Sequence, residues 1–341
     1  MTPPDLSVVI PVFNRGDLIR YTLESVRRAS VGLHVETIIV DDGSTPPAAV
    51  DIERLGFSPA QIVRQENRGL LYARLAGLAC ATGRCTVFLD SDDLVSPGKF
   101  RAQLAAMSAA GAEVSYTDTA RVVLDGDYDV LIPAADPPER VAADAAEFFV
   151  RVQPAPHSPI FRTDYLREVV ARAIFPPSPL YNSVAEIWFF HVAAPFPARV
   201  VHVPGPHTII GSHPGPRLTG NWEKLGVASL AVMEAFVRHC PAAPEFAHAR
   251  RLVGEKAFGG WRRLPRDFSP EFGERLLAIW RQLPRGPLSA LGGGGFGLAA
   301  RLLGPVTAGR LFRRWQSDSY ESCRTLPDVD LHRLLAALPP P

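Results

Sequence analysis

The sequence predicts an α/β fold, a mostly parallel central sheet with helices on both faces, followed by a helical C-terminal extension. Three observations lead to this. Apolar β-branched runs of strand length alternate with helical periodicity through about residue 110. Each run ends on polar or conformationally special residues. Beyond about residue 220 the strand-like runs give way to helical patterns with basic faces.

In chain order, Leu6 to Val12 (LSVVIPV) is a near-continuous apolar run, the pattern of a strand covered on both faces. Asn14-Arg15-Gly16-Asp17 marks a turn, and Leu18, Ile19, Leu23 and Val26 then recur at helical spacing with Arg20, Arg27 and Arg28 outside. Val35 to Val40 is a second strand ending on Asp41-Asp42-Gly43-Ser44, and Gln61 to Arg64 a short third. Leu70 to Ala81 reads as a helix, Thr86 to Leu89 as the fourth strand, and Pro97 to Ala109 as a helix with proline suited to its first turn. Glu113 to Thr117 is a strand expected to end on Asp118. Residues 120–156 are weakly patterned, apart from a helical piece from Ala142 to Val152. Pro159 to Arg162 is a candidate to return to the sheet. Glu186 to Ala194 is an apolar helix carrying one acid, Arg199 to Val203 a short strand, and His207 to His213 runs into a Gly/Pro turn. The expected division is a catalytic domain over 1–219, with halves 1–118 and 119–219, and a helical, basic region over 220–341.

The bulk numbers narrow the function classes. With 341 residues, 47% apolar and 21% charged, the chain fits an ordinary globular protein of one large domain with an appendage, or two domains. A net charge of +1 gives no global attraction to nucleic acid, so no nucleic-acid partner is expected. The four cysteines lack C-x-x-C spacing and read as buried thiols in a reducing compartment. The N-terminus lacks a signal-peptide pattern, and no apolar run reaches the ~18 to 20 residues of a membrane span. A cytoplasmic location is therefore expected.

The most pointed feature is Val87-Phe88-Leu89-Asp90-Ser91-Asp92-Asp93, where a strand runs into three carboxylates within four positions. Carboxylates so crowded repel one another unless neutralised, and their oxygens suit a hard divalent cation, Mg²⁺ or Mn²⁺. In parallel sheets ligands bind outside the carboxyl ends of the strands, and here those ends carry Phe13-Asn14, Asp41-Asp42-Gly43-Ser44, Asn67-x-Gly69 and Asp90-x-Asp92. A G-x-G-x-x-G after the first strand and a G-x-x-x-x-G-K-[ST] loop are both absent, which removes the dinucleotide and phosphate-loop fingerprints.

Together VVIPVFNR, IIVDDGST, Asn67-x-Gly69 with Arg74, and FLDSDD resemble the nucleotide-binding half of a family 2 glycosyltransferase of the GT-A fold. The likeness weakens through the middle and returns at 185–213, where AEIWFFHVA resembles the family's ED-W helix and GSHPGPRLT its downstream histidine motif. The resemblance implies sugar transfer from a nucleotide diphosphosugar, with inversion and a divalent cation (Mn²⁺ or Mg²⁺), to a glycan, lipid-linked or protein acceptor. It places Phe13 against the nucleobase, with Pro11 beside it. Asp42 would accept a ring N–H of the base, which favours UDP or dTDP, while Asp41 caps the turn. Arg74 would reach base or phosphates, and Asp90 would bind ribose, with Ser91 also on the nucleotide sugar. Asp92 would bind the cation, Asp93 would point away or support the ligating groups from behind, and His213 would be a cation or diphosphate ligand, with His202 and His207 as near neighbours. Glu186 aligns with the catalytic base, usually Asp, and Ala185 replaces the acid that normally precedes it. Asp118 is the rival base. A carboxylate suits this duty, and apolar neighbours (VAEIWFF) would raise its pKa toward neutrality.

Two other readings stand beside this one. Leu89-Asp90-x-Asp92 also resembles the nucleophile motif of haloacid-dehalogenase-type phosphatases, although Leu94 stands where that motif wants Thr or Val, and on the fourth strand instead of the first. A non-catalytic nucleotide-sugar-binding module is the other. In the C-terminal region, Leu288 to Arg314 joins a Gly-rich stretch to short basic amphipathic pieces. It is a candidate for peripheral contact with the inner face of a membrane or for homo-oligomerisation.

Overall fold

Leu6–Val12 forms β1 with every residue buried, as the uninterrupted apolar run requires. The structure, a computed structural model, describes residues 2–215, 220–314 and 319–339. Pro216, Arg217, Leu218 and Thr219 of the expected histidine motif lie outside the described residues. The chain divides into two compact units. The first comprises Met1–Phe148, Val152–Ala173 and Phe196–Gly215, and the second Phe149–Arg151, Ile174–Pro195 and Pro216–Pro341. Residues 174–195, which carry Glu186, thus cluster with the helical C-terminal region, whereas the sequence grouped them with 119–219.

In the first unit β1 is flanked by β2 (Val35–Asp41) and β4 (Cys85–Phe88), both parallel to it, and β3 (Gln61–Arg64) extends the sheet beyond β2. On the other side β8 (Ile160–Arg162) lies antiparallel between β4 and β6 (Val114–Val123), and β9 (Val200–Ser212) runs parallel to β6. β5 (Leu94–Val95) closes that side, and β7 (Ala134–Ala135) pairs with β6, giving the order β3-β2-β1-β4-β8-β6-β9-β5. The antiparallel pairings are two residues each, while the parallel ones run over four to nine. The parallel ladders therefore set the direction in which the strands deliver their carboxyl ends.

The helices α1 (Ile19–Ala29), α2 (Ala48–Arg54), α3 (Leu70–Cys80) and α4 (Lys99–Ala110) cover this sheet. Val8, Ile10 and Val12 of β1 join Ile19, Leu23 and Val26 of α1 and Phe100 of α4 in one core. The alternate residue Val9 meets α3, where a Cβ at Gly77 would come within 2.2 Å of Val9 Cγ1. Both faces of β1 are filled, one side by side chains and the other by the close approach of a glycine-bearing helix.

Several elements differ from the sequence expectation. α2 was not expected, because Thr45-Pro46-Pro47 reads as loop; its first turn is capped from a distance, the Ala48 N–H donating to Asp41 Oδ2 at 3.0 Å. β6 continues through Asp118 to Val123, with a register shift between Thr117 and Thr119. Opposite it, Pro204-Gly205-Pro206 reads as a break between two strands but lies within the single β9. The bulge takes up the missing ladder bonds. A short helix α5 (Ala145–Glu147) and a π-turn, Phe148–Val152, replace the helical piece expected from Ala142 to Val152, and α6 (Thr163–Ala171) adds a helix after β8.

The second unit is helical. It contains α7 (Ala185–Ala193), α8 (Trp222–His239), α9 (Ala247–Arg263), α10 (Pro270–Gln282), α11 (Gly294–Leu303), α12 (Pro305–Arg314), α13 (Tyr320–Cys323) and α14 (Asp328–Ala336). Phe258 packs against Trp261 and Trp280 at ring separations of 5.3 and 4.8 Å. Arg275 Nε and Nη2 donate to the Glu234 carboxylate, both at 2.7 Å, and both side chains are buried. Among the described residues no helix is long and apolar enough to cross a membrane.

Candidate active site

At the carboxyl end of β1 the chain leaves Val12 through Phe13 and Asn14. Asn14 adopts a left-handed conformation, φ 50°. Its N–H donates to Ser44 Oγ at 3.0 Å, and its Oδ1 accepts the Thr45 N–H at 2.8 Å. These bonds tie the exits of β1 and β2 together, while Pro11 is buried and the Phe13 ring is 46% exposed. An aromatic ring left in water at a strand end is a surface on which a flat ring can stack.

Asp41 and Asp42 have opposite partners, as their places on a strand imply. Asp41 receives the Ser44 and Ala48 N–H groups and Arg64 Nη1, at 2.8, 3.0 and 2.5 Å, and so holds the turn and the start of α2. Although burial would raise it, these hydrogen bonds and the Arg64 charge hold its pKa below the usual carboxylate range. Asp42 faces the β3–α3 loop, where it accepts from Gln65 Nε2 and from the Arg68 and Gly69 N–H groups at 2.7, 2.9 and 2.8 Å. Sequence reading gave Asp42 to the base alone; in the structure it also fixes the loop that starts α3.

Arg74 is fully buried. Its Nη2 donates to Asp90 Oδ1 at 2.7 Å, and its guanidinium lies 5.9 Å from the centre of the Phe88 ring. It orients the first acid of the cluster from inside the protein. Ser91 is buried at 5% exposure, so the acids on either side of it are the more accessible groups, with side-chain exposures of 25% for Asp90 and 14% for Asp92.

Asp92 lies between a cation and an imidazole. Arg15 Nη2 is 3.4 Å from its Oδ2, and His213 Nε2 is 3.1 Å from the same oxygen. The Gly215 N–H donates to His213 Nδ1 at 3.1 Å, so the ring proton sits on Nε2 and points at Asp92. Burial first, then repulsion from Asp93 and Asp90, raises the Asp92 pKa despite Arg15 and His213. Asp93 turns the other way. Its Oδ1 accepts the Gly211 N–H at 2.9 Å, its Oδ2 is 3.1 Å from Nδ1 of the fully buried His157, and its carbonyl accepts the Thr22 hydroxyl at 2.8 Å. A Cβ at Gly211 would stand 2.0 Å from the Asp92 carbonyl oxygen. β9 can press against the acidic loop only with glycine there.

The donor set suits a hard divalent cation that tolerates one nitrogen ligand: one desolvated carboxylate under repulsion, with an imidazole against it. Among the described residues no group of three or more His, Cys, Asp or Glu side chains could hold a metal ion. Any cation here would draw its remaining ligands from diphosphate oxygens and water, which is how Mg²⁺-type ions are commonly held. A cavity of about 200 Å³ lies beside Arg15, lined by Val12, Asn14 and Thr45, but Asp92 is not in its wall.

The rival base, Asp118, sits at the β6 bulge and is fully engaged. Its carboxylate accepts from the Glu139 and Gly205 N–H groups and lies against His202 Nε2, at 2.9, 2.8 and 2.8 Å. Burial opposes it, but these bonds hold its pKa below the usual range. This arrangement weighs against a proton-accepting role for Asp118. His207 is bound to Ser96 Oγ at 2.6 Å and is not part of the Asp92 pair.

Glu186 belongs to the second unit, in the first turn of α7, and its side chain is half-buried. Ala185, Trp188, Phe189 and Phe190 around it in sequence are buried, so α7 is a rigid mount. Sequence reasoning gave no role to Arg15, His157 or Gly211. Arg15 stood inside the quoted VVIPVFNR stretch, whereas nothing local marks His157, whose partner lies 64 positions earlier.

The fold is of the GT-A class, with an exposed ring, a buried arginine and an Asp–His pair at the ends of its parallel strands. Residues 7–167, a little under half of the chain, match the family described as Glycosyl transferase family 2. The chain is 34% identical over 124 residues to the succinoglycan biosynthesis protein ExoO of Rhizobium meliloti, covering 36% of this chain and 35% of the relative. It therefore spans about a third of that relative's length. Among solved structures it is similar to S. aureus TarS 1–349 in complex with UDP-GlcNAc, at a TM-score of 0.63 and 17% identity over 92% of both chains. It is also similar to the mannosyltransferase PcManGT of Pyrobaculum calidifontis in complex with GDP-Man and Mn²⁺, at a TM-score of 0.50 and 16% identity over 93% of this chain and 89% of that one. With this match the phosphatase reading is set aside, since the acidic stretch follows the fourth strand and not the first.

Proposed function

We propose that the protein is an inverting glycosyltransferase that moves a sugar from a nucleotide diphosphosugar to a hydroxyl acceptor in cell-surface glycan synthesis. The observation that carries this is Asp92, desolvated, repelled by two acids, and flanked by His213 and Arg15 at the end of a parallel strand. The succinoglycan relative supports the glycan setting. The neighbours solved with UDP-GlcNAc, and with GDP-Man and Mn²⁺, support a nucleotide sugar and a divalent cation.

The roles follow from the geometry of each group. Phe13 offers its ring to the base. Asp42 offers the base the one lone pair left from about four on its two oxygens, because three are taken by the β3–α3 loop. Uracil, thymine and guanine have a ring N–H for that position; adenine and cytosine do not. Asp90, oriented by Arg74, faces the ribose. Asp92 and His213 hold Mn²⁺ or Mg²⁺, which when bound neutralises charge on the departing diphosphate. Arg15 stands beside Asp92 with a positive charge of its own for a phosphate oxygen. Glu186 takes the acceptor hydroxyl's proton as the oxygen attacks the anomeric carbon.

The donor is tested by thermal stabilisation with UDP, GDP and ADP, each with and without Mn²⁺. UDP or GDP with Mn²⁺ should raise Tm, since a ligand that binds only the folded state stabilises it. ADP should do little, and no shift with any of the three would defeat the donor assignment. Glu186→Gln should keep that stabilisation while transfer falls by about 10²–10⁴-fold. Undiminished transfer would send the base role elsewhere.

A further inference from the structure

Forty consecutive residues, 275–314, contain seven arginines and no acid. Within this run α11, GGFGLAARLL, has a single polar residue, Arg301, and is apolar around its whole circumference. A helix of that composition is normally enclosed on all sides. Here only one face is covered: Phe296 and Ala300 are buried, with Arg262 stacked on the Phe296 ring at 3.6 Å. On the opposite face, one helical turn apart, Leu298 and Leu302 are 62% and 76% exposed. Leu303, Leu311 and Phe312 are also open to water. The arginines are uneven in their partners. Arg310 reaches Glu274 at 3.5 Å and Arg285 lies on Trp280. Arg301 and Arg314 have no hydrogen-bond or ion-pair partner among the described residues.

We propose that the α11–α12 segment docks this protein on a bilayer surface containing anionic phospholipid. Leu298 and Leu302 would enter the boundary between headgroups and acyl chains, and Arg301 and Arg314 would meet the phosphates. Charge decides the occupant. A face of exposed leucines set in an acid-free, arginine-bearing run is complementary to negative headgroups. A second copy of the same face would bring like charges together. This proposal rests on the second unit alone and does not depend on the donor or the cation.

The full-length protein is to be sedimented with vesicles of phosphatidylcholine, and with vesicles also holding about 30 mol% phosphatidylglycerol. It should pellet with the anionic vesicles, and do so less well as salt screens the attraction. Leu298→Ser with Leu302→Ser should weaken binding by at least about tenfold. Arg301→Glu with Arg314→Glu should weaken it by about 25-fold or more, taking roughly fivefold per charge. Both pairs are on the surface, so the melting temperature and transfer to a freely diffusing acceptor should be unchanged. Failure to pellet with anionic vesicles overturns the proposal, as does pelleting that neither pair of substitutions alters. A dimer in light scattering that the leucine pair abolishes, without vesicle binding, overturns it too and makes the face an interface between copies.

Discussion

Among the aspartate–histidine pairs of the first unit, two share nearly the same geometry through Nε2 and have opposite electrostatics. Asp92 meets His213 Nε2 at 3.1 Å, and Asp118 meets His202 Nε2 at 2.8 Å. Around Asp118, two backbone N–H groups complete the carboxylate and its pKa falls. Around Asp92 the neighbours are two further carboxylates, burial is not offset, and its pKa rises. Identical residue types thus make a clasp in one place and a site short of positive charge in the other. What separates them is the supply of backbone donors: at the β6 bulge Asp118 faces the N–H groups of Glu139 and of Gly205 in β9, whereas Asp92 faces two other carboxylates.

Matched isosteric substitutions are the strongest way to break that comparison. Asp92→Asn should lower transfer by about 10²–10³-fold and remove stabilisation by Mn²⁺, with Tm unchanged or slightly raised because repulsion with Asp90 and Asp93 is relieved. Kinetics and melting on one preparation check both halves. Near-normal transfer by this variant would remove Asp92 from the site. Next in size is Gly211→Ala, which places a methyl group where the Asp92 carbonyl now lies. It should displace the acidic loop and cost about 10–100-fold in cation affinity, read as a raised Mn²⁺ requirement while saturating Mn²⁺ restores much of the rate. An unchanged requirement would show that the contact between β9 and the loop does not set Asp92.

These contrasts also mark what the sequence could disclose. β1 and β2 were legible to within a residue because both faces of each are buried, and burial on both sides leaves an uninterrupted apolar run. The strands around the bulge were not. Pro204-Gly205-Pro206 carries the usual punctuation of a loop, and only Asp118, 87 positions earlier, supplies the acceptor that holds Gly205 in line. For the same reason α2 was missed, its cap being Asp41, seven residues upstream. In the site, Asp92 and His213 were named by resemblance and the structure brings them together. The division of labour between Asp41 and Asp42 was half visible, since the turn cap was foreseen and the hold on the β3–α3 loop was not. Arg74 was expected at the ligand and instead lies buried behind Asp90. Its contact joins helix and strand 16 positions apart, and no local pattern encodes it.

The smallest expected effect on transfer belongs to the other pair and shows most in stability. Asp118→Asn keeps the shape and loses the charge that two N–H groups and His202 now favour. It should leave transfer within a few-fold while destabilising the fold by about 1–3 kcal/mol. The pH dependence gives the sign. The Asp118 pKa is lower in the folded protein than its ordinary value of 3.8. The unfolded chain therefore binds the proton more readily, and the carboxylate's contribution is fully present above about pH 4 and is lost as pH falls through the folded value. Wild type and Asp118→Asn should accordingly differ most in Tm near neutrality and converge in acid. A difference that persists unchanged into acid would mean that the asparagine disturbs shape, not charge. The contrast with Asp92 would then rest on hydrogen-bond geometry alone.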